Sequence, residues 1–141
     1  MSGFLLDANV LIAMAWPTHV SHRSVHRWLA RNANDGWATC PMTECAFVRL
    51  TSNPSFSAQA LSPKDSIALL NANLSHPAHI FWPDDLSIAA ALDGLSLRGH
   101  QQITDAYLLG LARRHKGKFA TLDSGLVSLA RNSKYEIELI R

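Results

Sequence analysis

Four of the eleven acidic residues in this 141-residue chain stand apart by their surroundings. Asp7 follows Phe-Leu-Leu and precedes Ala-Asn-Val-Leu-Ile, and Glu44 lies within Met-Thr-Glu-Cys-Ala-Phe-Val. Asp105 lies within Ile-Thr-Asp-Ala-Tyr-Leu-Leu, and Asp123 follows Phe-Ala-Thr-Leu. Each is set in sequence that is expected to be largely buried, where a carboxylate is seldom found unless it is paired or bound to a metal. No lysine or arginine adjoins any of the four; Arg49, five residues past Glu44, is the nearest after it. Taken singly, each acid also reads as a helix cap or a first-turn residue, worth about 1 kcal/mol. Gathered at one place they repel, by ~4 kcal/mol for two charges 4 Å apart at an effective dielectric of 20. A divalent cation resolves that conflict, and a donor set made only of oxygens selects Mg²⁺, with Mn²⁺ as a substitute, over zinc. Mg²⁺ held by few carboxylates keeps waters and meets phosphate oxygens, so the expected chemistry is metal-activated attack of water on a phosphodiester. Asn9, Thr104 and Thr121 flank the acids and are read as hydrogen-bonding the carboxylates or bound water, with ordinary turn and cap chemistry as the alternative.

The elements that must bring these acids together alternate along the chain. Short apolar runs at Phe4-Leu5-Leu6, Trp37-Ala38-Thr39, Ile80-Phe81-Trp82 and Phe119-Ala120-Thr121-Leu122 read as strands, the first as a buried one, and 135–140 alternates as a final edge strand. Between them, helices are expected over 9–15, 21–32, 42–52, 63–73, 86–95, 104–115 and 124–131, with 53–62 and 99–102 as polar loops. Pro41 and Pro63 suit first turns, where a missing N–H costs nothing, and Gly117 suits a C-cap. This order predicts one α/β domain over 1–141, three-layered, with a mostly parallel sheet. Asp7 and Asp123 fall at strand-to-helix junctions, which collect at the carboxyl edge of a parallel sheet, where such folds bind ligands.

Composition limits the function classes. Hydrophobic residues make up 48% and charged residues 17%, a globular balance that excludes disorder. The net charge of +2 permits a nucleic-acid partner without requiring one. Cys40 and Cys45 make neither a disulfide framework nor a zinc knuckle and read as thiols in a reducing compartment. The N-terminus has no basic start or cleavage site, and no apolar run approaches the ~20 residues of a membrane span, so the expected location is the cytoplasm.

Arg23, Arg27 and Arg31, with His19, His22 and His26, recur at helical spacing opposite Val25, Trp28 and Leu29. This stripe is either a solvated face or a contact for RNA phosphates or an acidic protein segment. His22 and His26 lack a third zinc ligand nearby. Arg113, Arg114, Lys116 and Lys118 follow Asp105 at the far end of its helix, where they complement the helix dipole. The four tryptophans read as core or groove-lining.

Four stretches together resemble the PIN-domain ribonucleases, specifically the VapC toxins of bacterial toxin–antitoxin pairs. They are Leu-Leu-Asp-Ala-Asn-Val-Leu-Ile at 5–12, Thr-Glu-Cys-Ala-Phe-Val-Arg-Leu at 43–50, Thr-Asp-Ala-Tyr-Leu-Leu-Gly-Leu-Ala at 104–112 and Ala-Thr-Leu-Asp at 120–123. Their order and spacing cover nearly the whole chain. The resemblance implies a PIN-like α/β/α sandwich and metal-dependent endonucleolytic cleavage of RNA to 5′-phosphate and 3′-hydroxyl ends. The family's acids carry over to Asp7, Glu44, Asp105 and Asp123, its polar residue after the first Asp to Asn9, and the one before the last Asp to Thr121. It further implies a homodimer and a cognate antitoxin whose C-terminal segment lies over the active-site groove. Two other readings stand beside it. An aspartyl-phosphate phosphatase needs a second Asp where this chain has Asn9, and a lysine for the phosphate that is not evident. A non-catalytic module would keep the acids for stability or ligand capture.

Overall fold

The computed structural model describes residues 3–95, 97–130 and 136–141. Five strands, β1 (Phe4–Leu6), β2 (Trp37–Thr39), β3 (His79–Phe81), β4 (Lys118–Thr121) and β5 (Ile137–Leu139), form one sheet in the order β3-β2-β1-β4-β5. All four pairings are parallel. Helices α1 (Ala8–Ala15), α2 (His22–Asn32), α3 (Pro41–Thr51) and α4 (Pro63–Leu74) separate the first three strands. Helices α5 (Ile88–Ala91) and α6 (Ile103–Arg114) lie between β3 and β4.

The period of two along a strand divides the core into the two interfaces of a three-layer sandwich. Leu5, Ala38, Phe119 and Ile137 point to one side and pack with Ala91, Tyr107, Leu108 and Leu111 from α5 and α6. Phe4, Leu6, Trp37 and Ala120 point to the other and pack with Val10, Leu11, Val25, Trp28, Phe47 and Leu70 from α1 to α4. Gly110 lets α5 and α6 touch, because a Cβ there would sit 2.3 Å from the Ala91 carbonyl oxygen.

Local chemistry sets most boundaries. Pro41 and Pro63 occupy first turns; Ser62 accepts from the Asp65 amide at 3.1 Å, and Thr43 Oγ1 accepts from the Cys40 amide at 3.0 Å. Three expectations change. The helix expected over 86–95 is only Ile88–Ala91, because Ser87 takes the N-cap and Gly94, at φ 78°, turns the chain. The helix expected over 124–131 is a 3-10 segment, Ser124–Ala130, whose Ser-Gly start is a weak α-former and whose first turn is bonded to the Asp123 side chain. The loop over 99–102 contains a 3-10 turn, His100–Gln102. The start of the last strand at Tyr135 and the expected helix end at Arg131 lie outside the described residues.

The topology creates the place for a site. The chain leaves β1 toward β2 and leaves β4 toward β5, on opposite sides, although β1 and β4 are neighbours. Connections that diverge from adjacent parallel strands open a crevice at their carboxyl ends. Asp7 and Asp123 follow those two strands.

Candidate active site

Asp7 occupies the N-cap position of α1, yet its side chain makes no capping bond. Its carboxylate accepts instead from Thr121 Oγ1 at 2.7 Å. Thr121 ends β4, is fully buried, and also accepts from the Asp123 amide at 3.1 Å. Asn9 completes the clamp, its amide oxygen accepting from the Leu122 N–H at 3.4 Å and its Nδ2 reaching Thr121 Oγ1 at 3.5 Å. The main chain joins the same strands through the Asp7 amide and the Ala120 carbonyl at 2.9 Å. Asn9 and Thr121 therefore both contact the acid cluster or its backbone. Thr104 does not: it is exposed, makes no side-chain hydrogen bond among the described residues, and lines a recess of about 390 Å³ with Cys45, Arg49 and Asp84.

Asp7 and Asp105 each respond to a neighbouring aspartate. Burial raises the Asp7 carboxyl above its ordinary range; the Thr121 hydroxyl and the Ala8 amide oppose that shift, and the charge of Asp123 adds to it. Asp105, in the first turn of α6, is pushed up to about 6 by burial and then by the charges of Asp7 and Asp123. Among the described residues no donor bonds its carboxylate. Asp123 is exposed rather than buried, because it lies beyond the end of β4 and caps the turn that follows, accepting from the Gly125 amide at 2.9 Å.

Glu44 is held separately. Thr39, the buried last residue of β2, donates to its Oε2 at 2.7 Å, and the same hydroxyl lies 2.7 Å from His79 Nε2. Burial lowers the His79 pKa, while the Glu44 charge and the Leu74 backbone work the other way. Thr39 and His79 were not singled out from the sequence. Thr39 had a readable signal, since it ends a strand as Thr121 does. His79 begins β3 and reaches its partner along the sheet, which linear spacing does not reveal. Asp84 was also left aside; its carboxylate faces the Cys40 thiol, which burial pushes up to about 11, and it adds to the raised pKa of Tyr107.

The basic residues lie elsewhere. Arg23, Arg27 and Arg31 are exposed on α2. That helix packs at the C-terminal end of α1, where the His22 and His26 rings bond the Ala13 and Met14 carbonyls at 2.7 and 2.9 Å. Those carbonyls are ones a helix leaves unpaired, so the pair acts as a cap supplied by a neighbouring helix. Trp28, farther along α2, packs edge-on to Phe4 at the start of β1. The stripe therefore belongs to the side of the molecule away from the carboxyl edge. Arg113 pairs with Glu136, and Arg114 with Asp85 at 3.1 Å. Among the described residues no helix is long and apolar enough to cross a membrane.

Among the described residues, no three His, Cys, Asp or Glu side chains form a ready-made cage for an ion. The donors at the carboxyl edge are nonetheless all oxygens, and Asp105 is raised first by burial and then by the charges of Asp7 and Asp123, both of which a divalent cation would offset. That chemistry fits Mg²⁺, which takes few protein oxygens and leaves its other positions to water and phosphate.

Comparison with known proteins agrees with this architecture. The pattern of the PIN domain matches residues 4–132. The chain is 41% identical over 135 residues to Ribonuclease VapC39 of Mycobacterium tuberculosis, spanning 94% of this chain and 97% of that one. It is 45% identical over 125 residues to Ribonuclease VapC29 of the same organism, spanning 89% of each. Among solved structures, VapBC2 from Rickettsia felis bound to a DNA fragment from their promoter superposes with a TM-score of 0.67 at 10% identity, covering 98% of both chains. FitAcB from Neisseria gonorrhoeae superposes with a TM-score of 0.60 at 19% identity, covering 98% of this chain and 96% of that one. At these identities the structural likeness speaks for the fold alone.

Proposed function

The chain belongs to the PIN-domain family and to its VapC ribonucleases, and on that premise we propose that it is an Mg²⁺-dependent endoribonuclease, the toxin of a toxin–antitoxin pair, whose site is Asp7, Glu44, Asp105 and Asp123. The observation that carries the reading is the state of Asp105. Its carboxyl is held up to about 6 by burial and by two aspartates that reach the same edge from β1 and β4. Helix capping accounts for Asp123 but leaves Asp105 without a partner among the described residues.

Asp7, Asp105 and Asp123, with Glu44, are the residues that would hold the ion. When bound, a divalent cation supplies Lewis-acid polarisation of the phosphodiester and makes water a better nucleophile near neutral pH. The chain's own part is orientation and charge. Thr121 fixes Asp7 and the backbone of Asp123, and Thr39 fixes Glu44, so two carboxylates are aimed before substrate arrives. Asp105, with no hydrogen bond among the described residues and a pKa pushed up to about 6 by burial and then by Asp7 and Asp123, is the carboxylate whose charged form a bound cation would favour. Among the described residues no histidine hydrogen-bonds Asp7, Asp105 or Asp123; the proposed hydrolysis leaves 5′-phosphate and 3′-hydroxyl ends. A cognate antitoxin, a homodimer and a cytoplasmic location belong to the same proposed reading.

Thermal denaturation with and without divalent cation tests the metal site. Mg²⁺ or Mn²⁺ raises the Tm of the wild type and leaves that of Asp105→Asn unchanged, since a ligand of the folded state stabilises it in proportion to its binding. Equal cation effects on the two proteins would contradict the assignment.

A further inference from the structure

The Thr39 hydroxyl stands 2.7 Å from Glu44 Oε2 and 2.7 Å from His79 Nε2, and it has one proton to give. A carboxylate only accepts, so that proton goes to Glu44. With that proton donated to Glu44, the hydroxyl oxygen accepts from an Nε2–H of the ring, in competition with the Leu74 backbone, which also faces the imidazole. Residues Trp37 and Thr39 of β2 face the same side of the sheet, and His79 is in register with Trp37. The imidazole lies along that face, its centroid 4.9 Å from the Trp37 ring, and reaches diagonally to Thr39. Thr39 is fully buried while Glu44 and His79 are half-buried, so the hydroxyl between them is shielded from bulk water, and chains of such bonds strengthen one another.

We propose that His79 is a positioning residue of the ribonuclease site: its Nε2–H donates to Thr39, and Thr39 in turn aims the Glu44 carboxylate at the carboxyl edge of the sheet. This rests on reading Glu44 as part of the active site. The relay ties the edge strand β3 to that site, through a residue 35 positions from the carboxylate it serves. Residues that orient metal-site carboxylates at second hand commonly matter about 10–100-fold.

The test uses the full chain and three substitutions. His79→Phe keeps a ring against Trp37 and removes the donor; kcat for RNA cleavage falls about 10–100-fold with KM little changed. His79→Gln returns an N–H donor at similar reach and recovers most of that loss. Thr39→Val matches His79→Phe, and the double variant is no worse than either single one, because each breaks the same chain. Imidazole ¹⁵N NMR of the wild type, without metal or RNA, provides a readout independent of activity: His79 shows a protonated Nε2, whose signal shifts in Thr39→Val. An unprotonated Nε2, or wild-type kcat in a folded His79→Phe, would overturn the proposal. Wild-type cleavage by Glu44→Gln would instead remove the reading of Glu44, and the relay's role with it.

Discussion

The Thr121 hydroxyl stands 2.7 Å from the Asp7 carboxylate, 114 positions away in sequence, and binds the end of β4 to the end of β1. That hydroxyl also accepts from the Asp123 amide, so one buried group sets the two aspartates whose charges raise Asp105. The crevice between β1 and β4 is therefore a fixed feature of the fold before any ligand binds.

Replacing that hydroxyl has a defined cost. Thr121→Val leaves the Asp123 amide without its acceptor and Asp7 without its donor, and lowers stability by about 1–3 kcal/mol. Thr121→Ser keeps the hydroxyl and most of the stability. Urea denaturation of the three proteins checks this, and a Val variant as stable as the wild type would contradict it.

Asp105 makes stability pH-dependent in a predictable direction. Its folded pKa, about 6, lies above the ordinary 3.8, so the folded state holds the proton more tightly than the unfolded one. Its contribution is fully present below pH 3.8 and is lost as pH rises through 6. In EDTA, Asp105→Asn has a higher Tm than the wild type at pH 8, and the two converge near pH 4. A wild type more stable than the variant at pH 8 contradicts this.

His115 acts in the opposite sense. It stacks on Trp82 with ring centroids 4.2 Å apart, its Nε2 has no partner among the described residues, and burial lowers its pKa. Asp85 opposes that shift and Arg114 adds to it. The neutral ring is the stabilising form, so stability is present above the unfolded value near 6.5 and is lost as pH falls through the folded one. His115→Phe keeps the stack and loses less Tm than the wild type between pH 7 and pH 5. An equal loss in both would refute the assignment.

Gly110 tests the packing that carries Asp105. A methyl group there meets the Ala91 carbonyl, so Gly110→Ala must move α5 from α6 and costs about 1–3 kcal/mol. Helix propensity alone predicts the reverse, a gain of ~1 kcal/mol. The sign of the change in denaturation midpoint decides between them.

The strands and long helices were legible because apolar runs and prolines act locally. Leu5 and Leu6, Trp37 to Thr39 and Phe119 to Thr121 read as strands for the same reason that they are buried. The short helix Ile88–Ala91 was overdrawn, since a serine cap and a positive-φ glycine outweighed its apolar residues. At the site, Asp7, Thr121 and Asp123 were visible as polar residues at strand ends, and Asn9, Glu44 and Asp105 as polar residues at the starts of helices. Asp123 looked buried because its neighbours are, yet it lies one step past the strand and is exposed. His79 was not legible at all, because its partner is chosen by strand register and not by spacing along the chain.

Cleavage of total bacterial RNA by the purified, antitoxin-free protein, with 5′ ends mapped by sequencing, tests the central claim most directly. It is run with Mg²⁺, with EDTA, and with Asp7→Asn. Discrete 5′-phosphate ends that vanish in EDTA and in the variant are the predicted result. Identical ends in all three arms, or none from the folded wild type with Mg²⁺, would contradict an Mg²⁺-dependent ribonuclease built on these aspartates.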